Sequence, residues 1–260
     1  EANDVIGNAI LELGAHGVSA VQYVPPVSPG SGDYLVPSED RVGGDHPEEF
    51  LTAKDVEKGS SRLVYRYPLQ VMGNQILVQS TLVGRHQLRN IALAVAAAEE
   101  LARLAFADIT PGSIERGIRE ARWPGRFQVI AAQRGWPEIV LDVAHNPAGA
   151  WALRSALSER YDDRPLIFVF AAMRDKAISE MTEILFPLAD RVIVTRPQNP
   201  RAASPEEIQQ AASRTGAEIE PIAETGAALE LARSASGPHT VVVVTGSIYL
   251  VGEAMRLLEK

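Results

Sequence analysis

The chain has 260 residues, a length that fits one large domain or two modest ones. Hydrophobic residues make up 46% and charged residues 22%, an ordinary globular composition that excludes a wholly disordered or collagen-like chain. The absence of cysteine excludes disulfides, thiolate metal sites and cysteine nucleophiles. The formal net charge of -8 argues against broad electrostatic binding to nucleic acid or to an anionic membrane.

No apolar run in the sequence approaches the ~18–20 residues needed to cross a bilayer. The first four residues lack the basic and apolar regions of a signal peptide. These features predict a cytoplasmic protein with no membrane and no nucleic acid as partner. Because the chain starts without methionine, we also expect it to begin inside a longer protein.

The first half of the chain predicts short elements around a polar stretch. In chain order they are a helix over 5–13, a strand over 18–24, a partly mobile loop over 25–61, a hairpin of strands 63–67 and 75–82 turning at Gly73-Asn74, and a helix over 86–104. Pro111 suits the first turn of a further helix, which Trp123-Pro124-Gly125 interrupts. We place a domain boundary there, giving domains 1–122 and 123–260.

The second half alternates apolar strands with amphipathic helices. The predicted strands are 127–132, 138–142, 166–172, 191–195, 240–245 and, more weakly, 218–221. The predicted helices are 148–160, 177–186, 205–215, 224–234 and 247–258. This alternation predicts an α/β fold, a Rossmann-like and mainly parallel sheet with helices on both faces. Ligands of such folds bind beyond the carboxyl ends of the strands.

The densest group of polar residues follows the strand that ends at Asp142. His145 and Asn146 come directly after it, and Asn146-Pro147 is a good helix start, with Asn as cap and Pro at the first helical position. An acid, an imidazole and an amide therefore share one strand-to-helix turn at the ligand-binding edge. The residues alone also allow a purely structural role, in which Asp142 and Asn146 satisfy the N–H groups of the turn.

Four other residues are candidates for binding. Arg126 lies on the stiff connection at the domain boundary, where it suits bidentate contact with phosphate or an interdomain salt bridge. Asn90 opens the helix over 86–104, and helix N-termini attract anions, although ordinary capping explains the motif as well. Ser247 and Lys176 each follow a strand end, where Ser247 is either a helix cap or a ligand for carboxylate, and Lys176 is either at the site or solvated.

Two nucleotide-binding motifs are missing from the sequence. It contains no G-x-x-x-x-G-K-[ST], so it has no P-loop. It also has no G-x-G-x-x-G after the first strand of the regular half, which disfavours a nicotinamide-binding domain.

Six stretches, taken in order, resemble the folylpolyglutamate synthase and dihydrofolate synthase family of the Mur ligase superfamily. They are Leu82 to Asn90 (LVGRHQLRN), Trp123 to Arg126 (WPGR), Leu141 to Pro147 (LDVAHNP), Asp175-Lys176, Arg201-Ala202 and Val244 to Gly252 (VTGSIYLVG). The resemblance implies an ATP-dependent ligase that adds L-glutamate to the γ-carboxyl of folate through an acyl phosphate. It also implies domain identities: 1–122 as the end of the ATP-binding central domain and 123–260 as the glutamate-ligase domain.

The resemblance also implies roles for the candidate residues. Asn90, Arg126, Asp142 and Asn146 are expected to contact ATP, with Asp142 and His145 as the catalytic residues, while Ser247 and Lys176 face the incoming glutamate. Mg²⁺ ligands are expected mostly in a missing N-terminal part, because the family's P-loop is absent here. Folate or dihydropteroate and that P-loop part are the implied partners, and the isolated chain is expected to be inactive. A peptidoglycan-precursor amino-acid ligase and a non-catalytic glutamate- or nucleotide-binding remnant are the alternatives.

Overall fold

The structure is a computed structural model that describes residues 2–25, 35–37, 63–133 and 135–259. These residues form two compact units, the first made of 1–81 and 85–121 and the second of 82–84 and 122–260. The division falls after Ala121, one residue before the position inferred from the sequence, and Leu82–Gly84 join the second unit.

The first unit is a small antiparallel sheet with helices. Its elements are α1 (Ala2–Leu13), a 3₁₀ turn (Val21–Tyr23), β1 (Leu35–Pro37), β2 (Leu63–Val71), β3 (Asn74–Ser80), α2 (Arg85–Arg103) and α3 (Pro111–Glu120). The strand order is β1-β2-β3. The core contains Tyr67 and Val78 of the sheet and Ala92 and Val95 of α2. Pro111 takes the first position of α3, as predicted, behind the capping residue Thr110.

The hairpin forms as predicted, but its turn is one residue earlier. Val71 pairs with Asn74, so the two turn residues are Met72 and Gly73 rather than Gly73 and Asn74. Both have positive φ, 50° for Met72 and 75° for Gly73, as a tight two-residue hairpin turn requires. The N–H of Met72 donates to Glu99 Oε1 at 2.8 Å, which offsets part of the cost of this conformation.

The strand predicted over residues 18–24 is wrong. This segment is irregular up to the 3₁₀ turn, and it pairs with no strand in the described part of the chain. Val18 and Val21 are exposed, whereas Tyr23 is buried in the core and Ala20 and Val24 pack against it. The segment therefore contacts the core through these three residues and not through one face of a strand.

The segment predicted as a loop over 25–61 contains a short strand. Leu35–Pro37 pairs antiparallel with β2, Leu35 opposite Tyr65 and Pro37 opposite Leu63. The rest of that prediction, including the expected mobility, lies outside the described residues.

The second unit confirms the predicted fold class. Its elements are β4 (Gln128–Ile130), β5 (Glu138–Asp142), α4 (Pro147–Tyr161), β6 (Leu166–Phe170), α5 (Ile178–Leu185), a 3₁₀ turn (Phe186–Leu188), β7 (Arg191–Val194), α6 (Pro205–Ala211), β8 (Ile219–Pro221), α7 (Thr225–Ala235), β9 (Val241–Thr245) and α8 (Ile248–Leu258). The sheet order is β4-β5-β9-β6-β7-β8, and the five strands other than β4 are parallel. Alternate residues of its buried strands pack on opposite faces.

The two faces of this sheet carry different helices. Helices α4, α5 and α6 pack on one face, where Val140, Phe168 and Val243 are buried. Helices α7 and α8 pack on the other, with Ile139 and Val242. The helix after β5 (α4) and the helix after β9 (α8) thus lie on opposite faces of the sheet, although β5 and β9 are neighbouring strands. Such a reversal opens a crevice at the carboxyl ends of the two strands, which is where ligands of open α/β sheets bind.

Among the described residues, none of the helices combines the length and the apolar character that a membrane span requires.

Candidate functional site

The candidate site of the second unit lies where β5, β9 and β6 end. Asp142, the last residue of β5, is the register partner of Thr245 at the end of β9, and Thr245 is also paired with Phe170 of β6. Neighbouring strands are about 4.8 Å apart, so the residues after these three strands emerge at one edge. The fold thus brings Asp142 and the Thr245-Gly246-Ser247 turn to adjacent positions in the crevice.

Asp142 is buried and accepts two backbone hydrogen bonds. Its Oδ2 accepts the N–H of Phe127 at 2.8 Å, and its Oδ1 accepts the N–H of Ala144 at 2.8 Å. Burial raises the pKa of the carboxyl, an effect that these two hydrogen bonds and the charges of Arg126 and His145 partly offset. Asp142 therefore joins the end of β5 to the Trp123–Gln128 segment, so the structural role allowed by the sequence is present.

The segment around Arg126 is a tight turn fixed to the sheet. Gly125 and Phe127, the residues on either side of Arg126, have φ of 73° and 45°. The N–H of Val143 donates to the carbonyl of Gly125 at 2.8 Å, and the N–H of Gly125 donates to Gln128 Oε1 at 2.9 Å. Gln128 was not among the sequence candidates, because its role depends on a hydrogen bond that no motif indicates.

Arg126 carries a positive charge that the second unit leaves available. Its guanidinium carbon lies 5.3 Å from the centroid of the Trp123 ring, a cation–π distance. Within the described residues of this unit Arg126 forms no ion pair. Trp123 is 55% exposed, so the pair lies at the surface of the unit.

His145 and Asn146 continue the turn after Asp142. His145 Nδ1 lies 3.0 Å from the carbonyl oxygen of Val143. Because a carbonyl only accepts, Nδ1 carries the proton in the neutral ring, and Nε2 is left with a lone pair. Asn146 caps α4 as predicted: its Oδ1 accepts the N–H of Gly149 at 2.7 Å, and Pro147 holds the first helical position.

The turn after β9 is close-packed. Gly246 has φ of 97°, and a Cβ atom there would lie 2.3 Å from the carbonyl oxygen of Ala171. Ser247 is buried and caps α8, accepting the N–H of Tyr249 at 3.2 Å. The hydroxyl of Thr245 is buried and has no hydrogen-bond partner within the described residues. A buried polar atom without a partner is uncommon and calls for an explanation such as an absent ligand.

Lys176 is placed in a charged cluster after β6. Its Nζ is 3.2 Å from Asp175 Oδ2, and Asp175 Oδ1 accepts from Arg201 Nη2 at 2.8 Å. The hydrogen bonds from Arg201 and then Lys176 lower the pKa of Asp175. The N–H of Arg174 donates to the carbonyl of Arg201 at 3.0 Å, which joins the loops after β6 and β7.

Asn90 belongs to the first unit. It is exposed on the first turns of α2, and its Nδ2 donates to Gln87 Oε1 at 3.1 Å. This bond joins two side chains on one face of α2 and does not cap a backbone N–H at the helix N-terminus.

A separate cavity of about 720 Å³ lies in the second unit and contains none of the predicted site residues. Its lining includes Arg196, Arg256 and Glu253, and Glu253 accepts hydrogen bonds from the N–H of Gln198 and the hydroxyl of Thr225. The carboxylate of Glu253 thus ties the loop after β7 to the start of α7.

Comparison with known proteins supplies the family. Residues 125–248 match the family model for the Mur ligase glutamate ligase domain, a range that runs from the turn at Arg126 to the turn after β9. Residues 125–248 belong to this Mur ligase domain family.

Two curated relatives carry the same name. A probable bifunctional folylpolyglutamate synthase/dihydropteroate synthase of Haloferax volcanii is 38% identical over 179 residues, covering 68% of this chain and 20% of that protein. A protein of the same name from Halobacterium salinarum is 30% identical over 265 residues, covering 98% of this chain and 31% of that protein. The chain therefore spans a fifth to a third of the length of these two relatives.

A solved structure agrees with the sequence relatives. The folylpolyglutamate synthase of Mycobacterium tuberculosis, complexed with ADP, superimposes with a TM-score of 0.65 at 30% identity, covering 76% of this chain and 45% of that protein. The resemblance of the six sequence stretches to folylpolyglutamate and dihydrofolate synthases is confirmed. The roles of the individual site residues stay predictions.

Proposed function

We propose that this chain forms part of an ATP-dependent ligase that joins L-glutamate to the γ-carboxyl of folate. The names of the relatives and the glutamate ligase domain support this reading. In the proposed reaction ATP phosphorylates the folate carboxylate, and the amine of glutamate then displaces phosphate. The proposal takes folate as the acceptor, with dihydropteroate as the second acceptor to test.

The observation that carries the proposal is the placement of Arg126. Its charge has no ion-pair partner among the described residues of the second unit, and it is held on a fixed turn beside the switch point of the sheet. Charge that develops on a transferred phosphoryl group is stabilised by preorganised positive groups. We assign Arg126 to the phosphate oxygens of ATP, with Asn146 as a further nucleotide contact. The nucleotide role of Asn90, which belongs to the first unit, stays a separate prediction. Asp142 also keeps its proposed place beside the nucleotide.

His145 is suited to handle the proton of the incoming amine. The bond from Nδ1 to the carbonyl of Val143 leaves the Nε2 lone pair as an acceptor. An amine attacks only when neutral, so a positioned base that removes its proton accelerates the step. We propose this role for His145, and we propose that the carboxylate of Asp142, on the same strand-to-helix turn, stabilises the resulting positive ring.

Ser247 and Lys176 are the proposed contacts of glutamate. Ser247 lies at the N-terminus of α8, where the partial positive charge and free N–H groups favour a carboxylate. The partnerless hydroxyl of Thr245, two residues earlier, supports a polar ligand at this turn. The ammonium group of Lys176 forms an ion pair with Asp175. We therefore expect Lys176 to contribute less to glutamate binding than the α8 turn does.

A divalent metal such as Mg²⁺ would neutralise charge on the ATP phosphates. Within the part of the chain that the structure describes, no group of three or more His, Asp or Glu side chains could hold one. No step of the proposal depends on a metal ion.

The test is the substitution Arg126→Ala in a complete ligase that carries this sequence. Charged hydrogen bonds contribute about 1.5–3 kcal/mol each, so kcat/KM for ATP should fall ten-fold or more. Arg116→Ala is the matched control, because Arg116 is exposed on α3 and should leave the kinetics unchanged. Wild-type ATP kinetics for Arg126→Ala would contradict the role of this residue. Glutamate transfer to a peptidoglycan precursor instead of folate would contradict the proposed substrate.

A further inference from the structure

The conformation of the Arg126 turn is one that its sequence does not favour by itself. Gly125 adopts its positive φ without strain, but φ of 45° at Phe127 is unusual for a bulky residue. Conformations of this kind persist where the surrounding structure imposes them. The contacts of Gly125 and Phe127 therefore decide where the backbone of Arg126 lies.

Phe127 is held by two independent contacts. Its N–H donates to Asp142 Oδ2, and its side chain is buried against the core of the second unit, stacked on the ring of Tyr161 with 6.4 Å between centroids. This side of the turn is fixed by β5 and α4.

Gly125 is held by contacts of a different kind. Its carbonyl accepts the N–H of Val143, and a Cβ atom at this position would lie 3.0 Å from side-chain carbons of Val143 and Val251. A larger residue would have to displace these side chains and would be strained at the φ of 73°. Gly125 is a buried residue, and the acceptor of its N–H is Oε1 of Gln128 at 2.9 Å, in a partly buried hydrogen bond. A buried N–H that loses its acceptor costs more free energy than an average hydrogen bond supplies.

We propose that Gln128 is a positioning residue for Arg126. Its amide oxygen accepts the N–H of Gly125 and so holds the Gly125–Phe127 turn against the start of β4. The position of the Arg126 Cα atom, from which its side chain extends, is thereby fixed. This inference rests on the proposed role of Arg126 at phosphate. Gln128 itself touches no substrate and acts through the backbone of the turn.

The first test concerns the turn itself and does not depend on the reaction. Gln128→Met keeps the length of the side chain and removes the acceptor, whereas Gln128→Glu keeps an acceptor oxygen. Amide hydrogen exchange of the full chain should be at least ten-fold faster at Gly125 in Gln128→Met and near the wild-type rate in Gln128→Glu. Gln133→Met is the matched control, because Gln133 is exposed at the start of the turn that follows β4. Unchanged exchange at Gly125 in Gln128→Met would overturn the proposal.

The second test concerns the reaction and uses a double-mutant cycle in the complete ligase. Gln128→Met should lower kcat/KM for ATP by roughly three- to ten-fold, and Gln128→Glu should restore it. In an Arg126→Ala background, Gln128→Met should have no further effect, because both changes act on one group. Additive effects would overturn the proposal and leave Gln128 as a stability residue. If Arg126→Ala itself changes nothing, the proposed function of Arg126 has failed, whereas the exchange result stands.

Discussion

The carboxylate of Asp142 binds the backbone N–H of Phe127 at 2.8 Å, across 15 residues of sequence. Phe127 directly follows Arg126, so the acid at the end of β5 determines the path of the chain beside the arginine. The same carboxylate binds the N–H of Ala144, directly before His145. One buried side chain thus holds the backbone next to both of the residues to which we assign phosphate and proton chemistry.

Replacing Asp142 by asparagine should destabilise the chain. Asparagine supplies one acceptor oxygen and an NH₂ donor, whereas the site presents N–H groups to both oxygens. One of these groups would lose its acceptor, at a cost of about 1–3 kcal/mol. Chemical denaturation of Asp142→Asn should show this loss, and Asp163→Asn, an exposed position after α4, should not. Equal stability of the two variants would mean that Asp142 does not hold the turn.

The tautomer of His145 is a second testable consequence of the geometry. The carbonyl of Val143 fixes the proton of the neutral ring on Nδ1. Nitrogen-15 NMR of the full chain should therefore show a protonated Nδ1 and an unprotonated Nε2 for His145. The exposed His239 provides the comparison, because a free imidazole mostly carries its proton on Nε2. A spectrum in which Nε2 of His145 carries the proton would remove it as the base for the amine.

The second half of the chain was predictable because its local signals agree. Short buried strands, such as Leu166–Phe170 and Val241–Thr245, alternate with helices, and α4, α6 and α8 begin at side-chain caps. Asn146 and Pro147 form such a cap, and the structure has it as predicted. The position of Asp142 at a strand end followed from the same pattern.

The functions of single hydrogen bonds could not be predicted from the sequence. The motif Trp123 to Arg126 ends two residues before Gln128, and only the folded turn shows that Gln128 binds Gly125. In the first half, Val18 and Val21 look like strand residues, but their exposure depends on what packs against them. Tertiary contacts decide such positions, and local propensity does not.

Ser247 provides a test that separates capping from glutamate binding. Loss of an N-cap side chain costs about 0.5–2 kcal/mol, so Ser247→Ala should lower the stability of the chain by that amount. Ser234→Ala is the control, because Ser234 is exposed near the end of α7 and caps no helix N-terminus. In a complete ligase, Ser247→Ala should also raise KM for glutamate more than KM for ATP. A stability loss with both constants unchanged would leave Ser247 as a cap alone.

The strongest stability prediction concerns Gly246, between β9 and the cap of α8. A Cβ atom there would lie 2.3 Å from the carbonyl oxygen of Ala171 and 2.6 Å from the ring of Phe170, and φ of 97° is strained for any residue with a side chain. The Ala171 backbone and the Phe170 ring cannot both move away from the added Cβ atom, because β6 and β9 are paired along their length. Gly246→Ala should therefore lose about 4 kcal/mol or more, or fail to fold.

Gly252→Ala is the matched control for this substitution. Gly252 lies in the interior of α8, six residues further on, and a Cβ atom there meets nothing within 4 Å. Alanine in a helix interior is favoured over glycine by about 0.5–1 kcal/mol, so this variant should be slightly more stable than the wild type. Thermal unfolding of both variants of the full chain measures the contrast. If Gly246→Ala melts at the wild-type temperature, then β9 and β6 do not approach each other at their carboxyl ends as described, and the crevice beside Asp142 has a different shape.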